Sequence, residues 1–218
     1  MKHTLLFLKK LKANNNRDWF EANRDSYEQA KAEFETFANA LLDGVKKFDK
    51  GIDPALTAKQ CMFRINRDVR FSKDKSPYKT NMGAAMAPGG RKSTTAGYYL
   101  HIEPGKSFLA GGVYMPEPPQ LQAIRQEIDY NGAPLVKLLK SANFKKYFKG
   151  LDEDGKLARP PKGYDESHPL IDLLKNKHFI VSHALTDAQV TDAKAVSYIV
   201  SGMKTMHPFL EYLRVTSE

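Results

Sequence analysis

The chain has 218 residues, a formal net charge of +9 and one cysteine. This length suits one enlarged domain better than two, so residues 1–218 are predicted to form a single domain. One cysteine excludes an internal disulfide and favours a reducing compartment, so a cytoplasmic location is expected. The apolar run at residues 5–8 is interrupted by Lys9 and Lys10, and no window reaches the length of a membrane span; neither a signal peptide nor membrane association is expected.

The first predicted element is a long helix after the asparagines at 14–16. An asparagine side chain can cap a helix N-terminus, and apolar residues then recur at the spacing of one helical face. These residues are Phe20, Tyr27, Phe34, Phe37, Leu41, Val45 and Phe48. The pattern predicts a helix of about 30 residues that ends before Gly51 and Pro54.

A half-buried strand is predicted next, because apolar and polar residues alternate with a period of two. The apolar positions are Cys61, Phe63, Ile65, Val69 and Phe71. Cys61 is in phase with this row and is therefore predicted to lie in the core, not to act as a nucleophile. Two further strands are predicted at 98–103 and 107–114, joined by a hairpin turn at 104–106, with a late strand at 178–183.

Helical patterns are predicted at 117–130 and 133–140. Asp187 is expected to cap a final helix that bends at Pro208. The polar stretch 149–168 has the composition of a long irregular loop, which is typical of a functional or disordered segment. Together the elements predict an α+β fold with a largely antiparallel sheet flanked by helices, including long N-terminal and C-terminal helices.

Positive charge is concentrated between residues 64 and 79. Six cations stand here against two anions: Arg64, Arg67, Arg70, Lys73, Lys75 and Lys79 against Asp68 and Asp74. Arg67 falls in the apolar row of the predicted strand, and a buried guanidinium requires a partner. Asp68 is on the opposite face, so the partner comes from elsewhere in the fold or is a ligand.

Arginine grips carboxylate or phosphate through paired hydrogen bonds, and lysine adds a mobile charge. The segment is therefore a candidate anion-binding site. The predicted ligand-binding residues are Arg64, Arg67, Arg70, Lys75, Tyr78 and Lys79. The alternative is a solvated charged edge in which Arg67 forms a structural salt bridge.

Catalytic signals are weaker. The acid–base candidates are Asp68, Asp74, Tyr78 and His168, the last because it follows the long loop. The sequence lacks a complete phosphate-binding loop, a dinucleotide motif, and histidines at metal-ligand spacing. No cofactor and no metal are predicted.

The segment 63–80, Phe-Arg-Ile-Asn-Arg-Asp-Val-Arg-Phe-Ser-Lys-Asp-Lys-Ser-Pro-Tyr-Lys-Thr, resembles the signature of a family of uncharacterised bacterial and fungal proteins, a domain of unknown function. The resemblance extends from residues 16–20 through 97–114 to 159–164 and His168-Pro169. It covers most of the chain and implies no known activity.

Three functional hypotheses follow. The favoured one is binding of a phosphate-bearing or other anionic small ligand, because the charged segment contains no histidine and only two carboxylates. The second is an enzyme acting on an anionic substrate with the same segment as its active site. The third is a protein-interaction module or nucleic-acid binder, and nucleic acid is not favoured because no long basic helix is apparent. The sequence predicts no particular oligomeric state.

Overall fold

The computed structural model describes residues 1–214. In this part of the chain, four strands form one antiparallel sheet in the order β1-β2-β3-β4. The strands are β1 (Met82–Met86), β2 (Gly97–Ile102), β3 (Ser107–Val113) and β4 (Phe179–Leu185). The predicted α+β class is confirmed, and the hairpin of β2 and β3 lies where the sequence predicts it.

Helices flank the sheet and account for the remaining regular structure of residues 1–214. They are α1 (Lys2–Ala13), α2 (Arg17–Ala22), α3 (Arg24–Lys46), α4 (Ala58–Cys61), α5 (Pro118–Lys140), α6 (Ala142–Lys145), α7 (Ile171–Leu174), α8 (Asp187–Thr191) and α9 (Ala195–Arg214), with a short 3₁₀ turn at Gly90–Lys92. None of these helices is long and apolar enough to cross a bilayer.

The predicted first long helix is divided. Asn16 caps α2 by accepting a hydrogen bond from the backbone N–H of Trp19 at 2.9 Å. Asn23 then has φ −116° and ψ 23°, and its side chain bonds to the carbonyl of Trp19. Asparagine competes for backbone groups in this way, so the helix stops at Ala22 and restarts at Arg24.

The prediction of a strand around residues 61–71 is wrong. Cys61 ends α4, and the following chain is attached to the fold by two isolated bridges, Met62 to Ala84 and Asn66 to Tyr78. The second bridge folds residues 66–78 back on themselves, so this segment cannot run on as one strand. Cys61 is buried as predicted, and burial raises the pKa of its thiol to about 11.

The C-terminal half differs from the prediction in its helix boundaries. The two helices predicted at 117–130 and 133–140 are confirmed as the two halves of α5, which is interrupted by the non-helical Asn131. Thr186, not Asp187, caps α8, and the last helix begins at Ala195. Pro208 lies inside α9, while 149–168 contains neither helix nor strand.

The two faces of the sheet have different surroundings. Along β2, Tyr98, Leu100 and Ile102 are buried, whereas the alternate residues face away from this core and are partly exposed. The buried face packs on α9 through β3, and α9 in turn packs on α3. The opposite face is left open, because the described helices gather their apolar side chains on the first face.

Candidate functional site

The open face of the sheet is the floor of a groove of about 990 Å³. Strand register places small residues side by side there, with Gly97 opposite Gly112 and Tyr99 opposite Ala110. The small floor residues are Gly83, Ala85, Gly97, Ala110 and Gly112. None of these residues has a side chain larger than methyl, so only small groups line this part of the groove.

Four rings line one part of the groove: Phe63, Tyr99, His101 and Phe108. His101 stacks on Phe108 with ring centres 4.6 Å apart, and Phe63 meets Tyr99 edge to face at 6.2 Å. Gly83 makes room for this cluster, since a Cβ atom placed on Gly83 would lie 2.5 Å from the hydroxyl oxygen of Tyr99. The groove therefore combines a smooth floor with an aromatic wall.

Two cations of the predicted segment, Arg64 and Lys79, line the same groove. Within residues 1–214, neither charged group takes part in a hydrogen bond or an ion pair. The Lys79 ammonium lies 5.6 Å from the ring centre of Phe63. Burial lowers the pKa of Lys79, and the like charge of Arg64 lowers it further. The charge of Arg64 helps to lower the pKa of Asp68, which also lines the groove, but both cations remain at positions that a ligand can reach.

A hydrogen-bonded chain of titratable groups starts in the groove. The hydroxyl of Tyr99 is 3.1 Å from Nδ1 of His101, and Nε2 of His101 is 3.4 Å from Oε2 of Glu103. Thr80 donates to the other carboxylate oxygen of Glu103 at 3.3 Å. Tyr99 and His101 lie two positions apart in β2, and Glu103 follows the strand at the same spacing. This spacing of two is the sequence signal that could have identified the three groups.

The predicted ligand residue Arg67 has a structural partner. Its guanidinium contacts the carboxylate of Asp74, the carbonyl of Ser76 at 3.1 Å and the hydroxyl of Ser72 at 3.3 Å. These bonds close the loop 67–76, although Arg67 also lines the groove. Hydrogen bonds from Ser76 and Arg67 lower the pKa of Asp74 to about 2, so this carboxyl stays ionised at neutral pH.

Other predicted site residues lie outside the groove lining. Arg70 pairs with Asp68, which does line the groove, and Lys75 donates to the carbonyl of Val69 at 3.0 Å. Tyr78 is buried and stacks on Phe20 with ring centres 4.0 Å apart. The bonds of His168 are also structural: its imidazole contacts Asp129 at 3.0 Å and accepts from the backbone N–H of Leu170.

One set of possible metal ligands occurs among residues 1–214: Asp49, His207 and Glu211. Arg214 already bonds to both carboxylate oxygens of Asp49, at 2.8 and 2.9 Å, and Tyr98 donates to the same carboxylate at 3.0 Å. The guanidinium supplies the positive charge that a cation would bring, so this cluster is a structural ion pair.

We expect Arg67→Ala to destabilise the protein more than Arg64→Ala. The first change removes the bonds that close the loop 67–76, whereas the Arg64 side chain has no such bonds. Because Arg67 is only partly buried, the expected loss is about 1 to 2 kcal/mol. Urea denaturation followed by circular dichroism measures both variants, and equal shifts of the midpoint would contradict a structural role for Arg67.

The fold and the site define a class: an α+β protein with an aromatic groove, lined by both cations and carboxylates, on the open face of a four-stranded antiparallel sheet. The model of the family described as conserved hypothetical protein (DUF2461) matches residues 3–212. The chain belongs to this family, which confirms the membership expected from the sequence. Neither a curated protein nor a solved structure matches the chain.

Proposed function

We propose that the protein binds a small anionic ligand, carrying a phosphate or carboxylate group, in the groove on the open face of the sheet. The main support is the placement of Arg64 and Lys79, two cations that line one concave site and have no ion-pair partner among residues 1–214. Like charges held close together oppose each other, and a bound anion relieves this repulsion.

The backbone that carries both cations is anchored to the fold. The N–H of Lys79 donates to the carbonyl of Ile65 at 2.8 Å, and the N–H of Phe63 donates to the carbonyl of Gly83 at 3.0 Å. Arg64 lies between these two anchored points of the chain. Such preorganisation reduces the entropy that a site loses when a ligand binds.

The shape of the groove favours a small ligand over a nucleic-acid strand. Its volume of about 990 Å³ lies at the upper end of the range for small-molecule sites. The floor of glycine and alanine can accommodate an apolar or planar part of the ligand, beside the rings of Phe63 and Phe108. A strand of nucleic acid would need free cations along a longer track, whereas the other two arginines of the lining, Arg67 and Arg91, bond to backbone carbonyls of the protein.

Isothermal titration calorimetry with inorganic phosphate, a mononucleotide, a sugar phosphate and a dicarboxylate tests the proposal. At least one of these anions should bind the wild type, and Arg64→Ala/Lys79→Ala should weaken that binding by about 10-fold or more, because charge-assisted hydrogen bonds are lost. Lys73→Ala is the matched control: it removes an exposed cation of the same segment that does not line the groove. The control should bind almost as the wild type does.

The salt dependence of the affinity distinguishes binding of a small anion from binding of nucleic acid. Binding of a small anion through two cations should weaken only moderately between low and physiological salt, whereas a nucleic-acid groove loses affinity steeply, by about 0.9 log units per phosphate and per log unit of salt on duplex DNA. Failure of all four anions to bind would contradict the proposal. Submicromolar binding of short DNA or RNA at physiological salt, lost in the double variant, would replace it with a nucleic-acid function.

A further inference from the structure

We propose that Tyr99, His101 and Glu103 form a proton-transfer triad and that the Tyr99 hydroxyl is the acid–base group of an enzyme acting on the ligand in the groove. This inference deepens the proposed function and rests on it for the position of the ligand. The hydrogen-bonded order of hydroxyl, imidazole and carboxylate is the arrangement in which a histidine takes a proton from a hydroxyl while a carboxylate orients the ring.

The hydrogen-bond partners determine the tautomer of His101. Glu103 accepts from the Thr80 hydroxyl and lies 3.9 Å from the Lys12 ammonium, an environment of donors that suits a carboxylate. Nε2 of His101 therefore carries the ring proton and donates it to Glu103. Nδ1 is left as the acceptor for the hydroxyl of Tyr99, at 3.1 Å.

Burial keeps both groups in their neutral forms at rest. Burial lowers the pKa of His101, although the neighbouring Glu103 opposes the effect. The imidazole is therefore neutral at neutral pH and has a free lone pair. Burial also raises the pKa of Tyr99, so the phenol retains its proton until a reacting group approaches.

The triad lies beside the proposed anion site. Phe63 contacts both, with its ring 5.6 Å from the ammonium of Lys79 and 6.2 Å from the ring of Tyr99. A ligand whose anionic group is held by Arg64 and Lys79 can thus extend along the aromatic wall toward the hydroxyl. Negative charge that develops on the ligand next to these cations would be stabilised by them.

Two protons move in this step, and both transfers take place at the oxygen of Tyr99. The oxygen of Tyr99 accepts a proton from the ligand while its own proton passes to Nδ1 of His101. The ligand loses one proton, the imidazole gains one and becomes imidazolium, and the phenol is unchanged. Glu103 stabilises the imidazolium, and the reverse transfer returns the proton. This assigns the substrate class as an anion with an acidic O–H or C–H bond.

A neutral reagent tests the triad without knowledge of the substrate. Phenylmethanesulfonyl fluoride forms a bond between sulfur and the tyrosine oxygen, the S–F bond breaks, fluoride leaves, and the phenol proton passes to the base. Peptide mass spectrometry measures the rate at each tyrosine. Tyr99 should react about 10-fold faster than Tyr130, which is 87% exposed and serves as the internal reference.

His101→Gln and Glu103→Gln should each slow the modification of Tyr99 by about 10-fold and leave Tyr130 unchanged. A melting curve for each variant separates loss of the base from loss of the fold. As a second measurement, ¹⁵N NMR of His101 in the wild type should show a protonated Nε2 and an unprotonated Nδ1. Labelling of Tyr99 no faster than that of Tyr130, labelling unaffected by His101→Gln, or the opposite tautomer would each overturn the proposal.

The outcomes distinguish this inference from the proposed function. Because the reagent carries no charge and no anion is added, the labelling of Tyr99 in the wild type does not require an occupied anion site. Fast labelling without anion binding in the wild type would refute the anion site and leave the triad. Anion binding with slow labelling would refute the triad and leave a binding protein.

Discussion

Asp49→Asn should lower the free energy of unfolding by about 3 to 5 kcal/mol. Asp49 is fully buried, and its carboxylate receives two hydrogen bonds from the guanidinium of Arg214, one from the hydroxyl of Tyr98 and one from the backbone of Gly51. The amide keeps the shape of the carboxylate but removes its charge. Arg214, largely buried, then loses the partner that neutralises it.

Glu211→Gln is the matched control for this prediction. Glu211 also bonds to Nη1 of Arg214, at 2.9 Å, but its side chain is 55% exposed. Solvent weakens such a pair, so the expected loss is less than about 1 kcal/mol. Urea unfolding at neutral pH measures both variants, and similar losses would show that burial does not govern the strength of the Asp49 pair.

Lowering the pH should remove the stabilisation that the same ion pair provides. Burial alone would raise the pKa of Asp49, but the hydrogen bonds and charge of Arg214 outweigh it and hold the pKa below its ordinary value. The stabilisation is therefore present above the ordinary carboxyl pKa and is lost as the pH falls through the lower, folded-state pKa. The difference in stability between wild type and Asp49→Asn should shrink over that acidic window.

Gly112→Ala should destabilise the protein by at least about 4 kcal/mol or prevent folding. Gly112 has φ +129°, a backbone region almost closed to other residues, and a Cβ atom there would lie 1.8 Å from the carbonyl oxygen of Phe179. That oxygen belongs to β4, so the overlap can be relieved only by moving one strand of the sheet. A rigid backbone neighbour makes the change much more damaging than strain alone.

Gly105→Ala separates the effect of backbone strain at a positive φ from the effect of steric overlap. Gly105 lies in the hairpin turn with φ +72°, and a Cβ atom there would have no neighbour within 4 Å. The expected loss is about 1 kcal/mol from the backbone conformation. Thermal unfolding by circular dichroism gives both values, and a Gly112→Ala variant as stable as Gly105→Ala would contradict the close approach of β3 and β4.

Local patterns predicted the hairpin, whose strands flank the turn at 104–106, and also β4. β1 was missed, since Met-Gly-Ala-Ala-Met contains no β-branched or aromatic residue. β1 contributes Gly83 and Ala85 to the floor of the groove. These small residues are also the reason that the sequence does not predict a strand here. The ion pair of Asp49 and Arg214 gave no local signal because 165 positions separate its members.

The site was partly predictable. Charge density identified the segment with Arg64 and Lys79, which the structure places in the groove. The alternating apolar residues led to the wrong prediction of a strand around 61–71. Phe71 is in fact 95% exposed, and the loop turns back at Arg67. The link from Tyr99 to His101 was overlooked because spacing alone does not show which face of a strand is left open.

The bridge between Met62 and Ala84 also affects how the protein behaves at high concentration. The outer strands of an open sheet expose unpaired backbone groups that can recruit a strand from another molecule. Beside β1 this bridge and the N–H of Phe63 occupy such groups, and beside β4 the N–H of Asp152 bonds to the carbonyl of Ile180 at 2.8 Å. The chain that carries Phe63 into the groove therefore also covers the edge of β1, and a change that released it would expose backbone groups to other molecules.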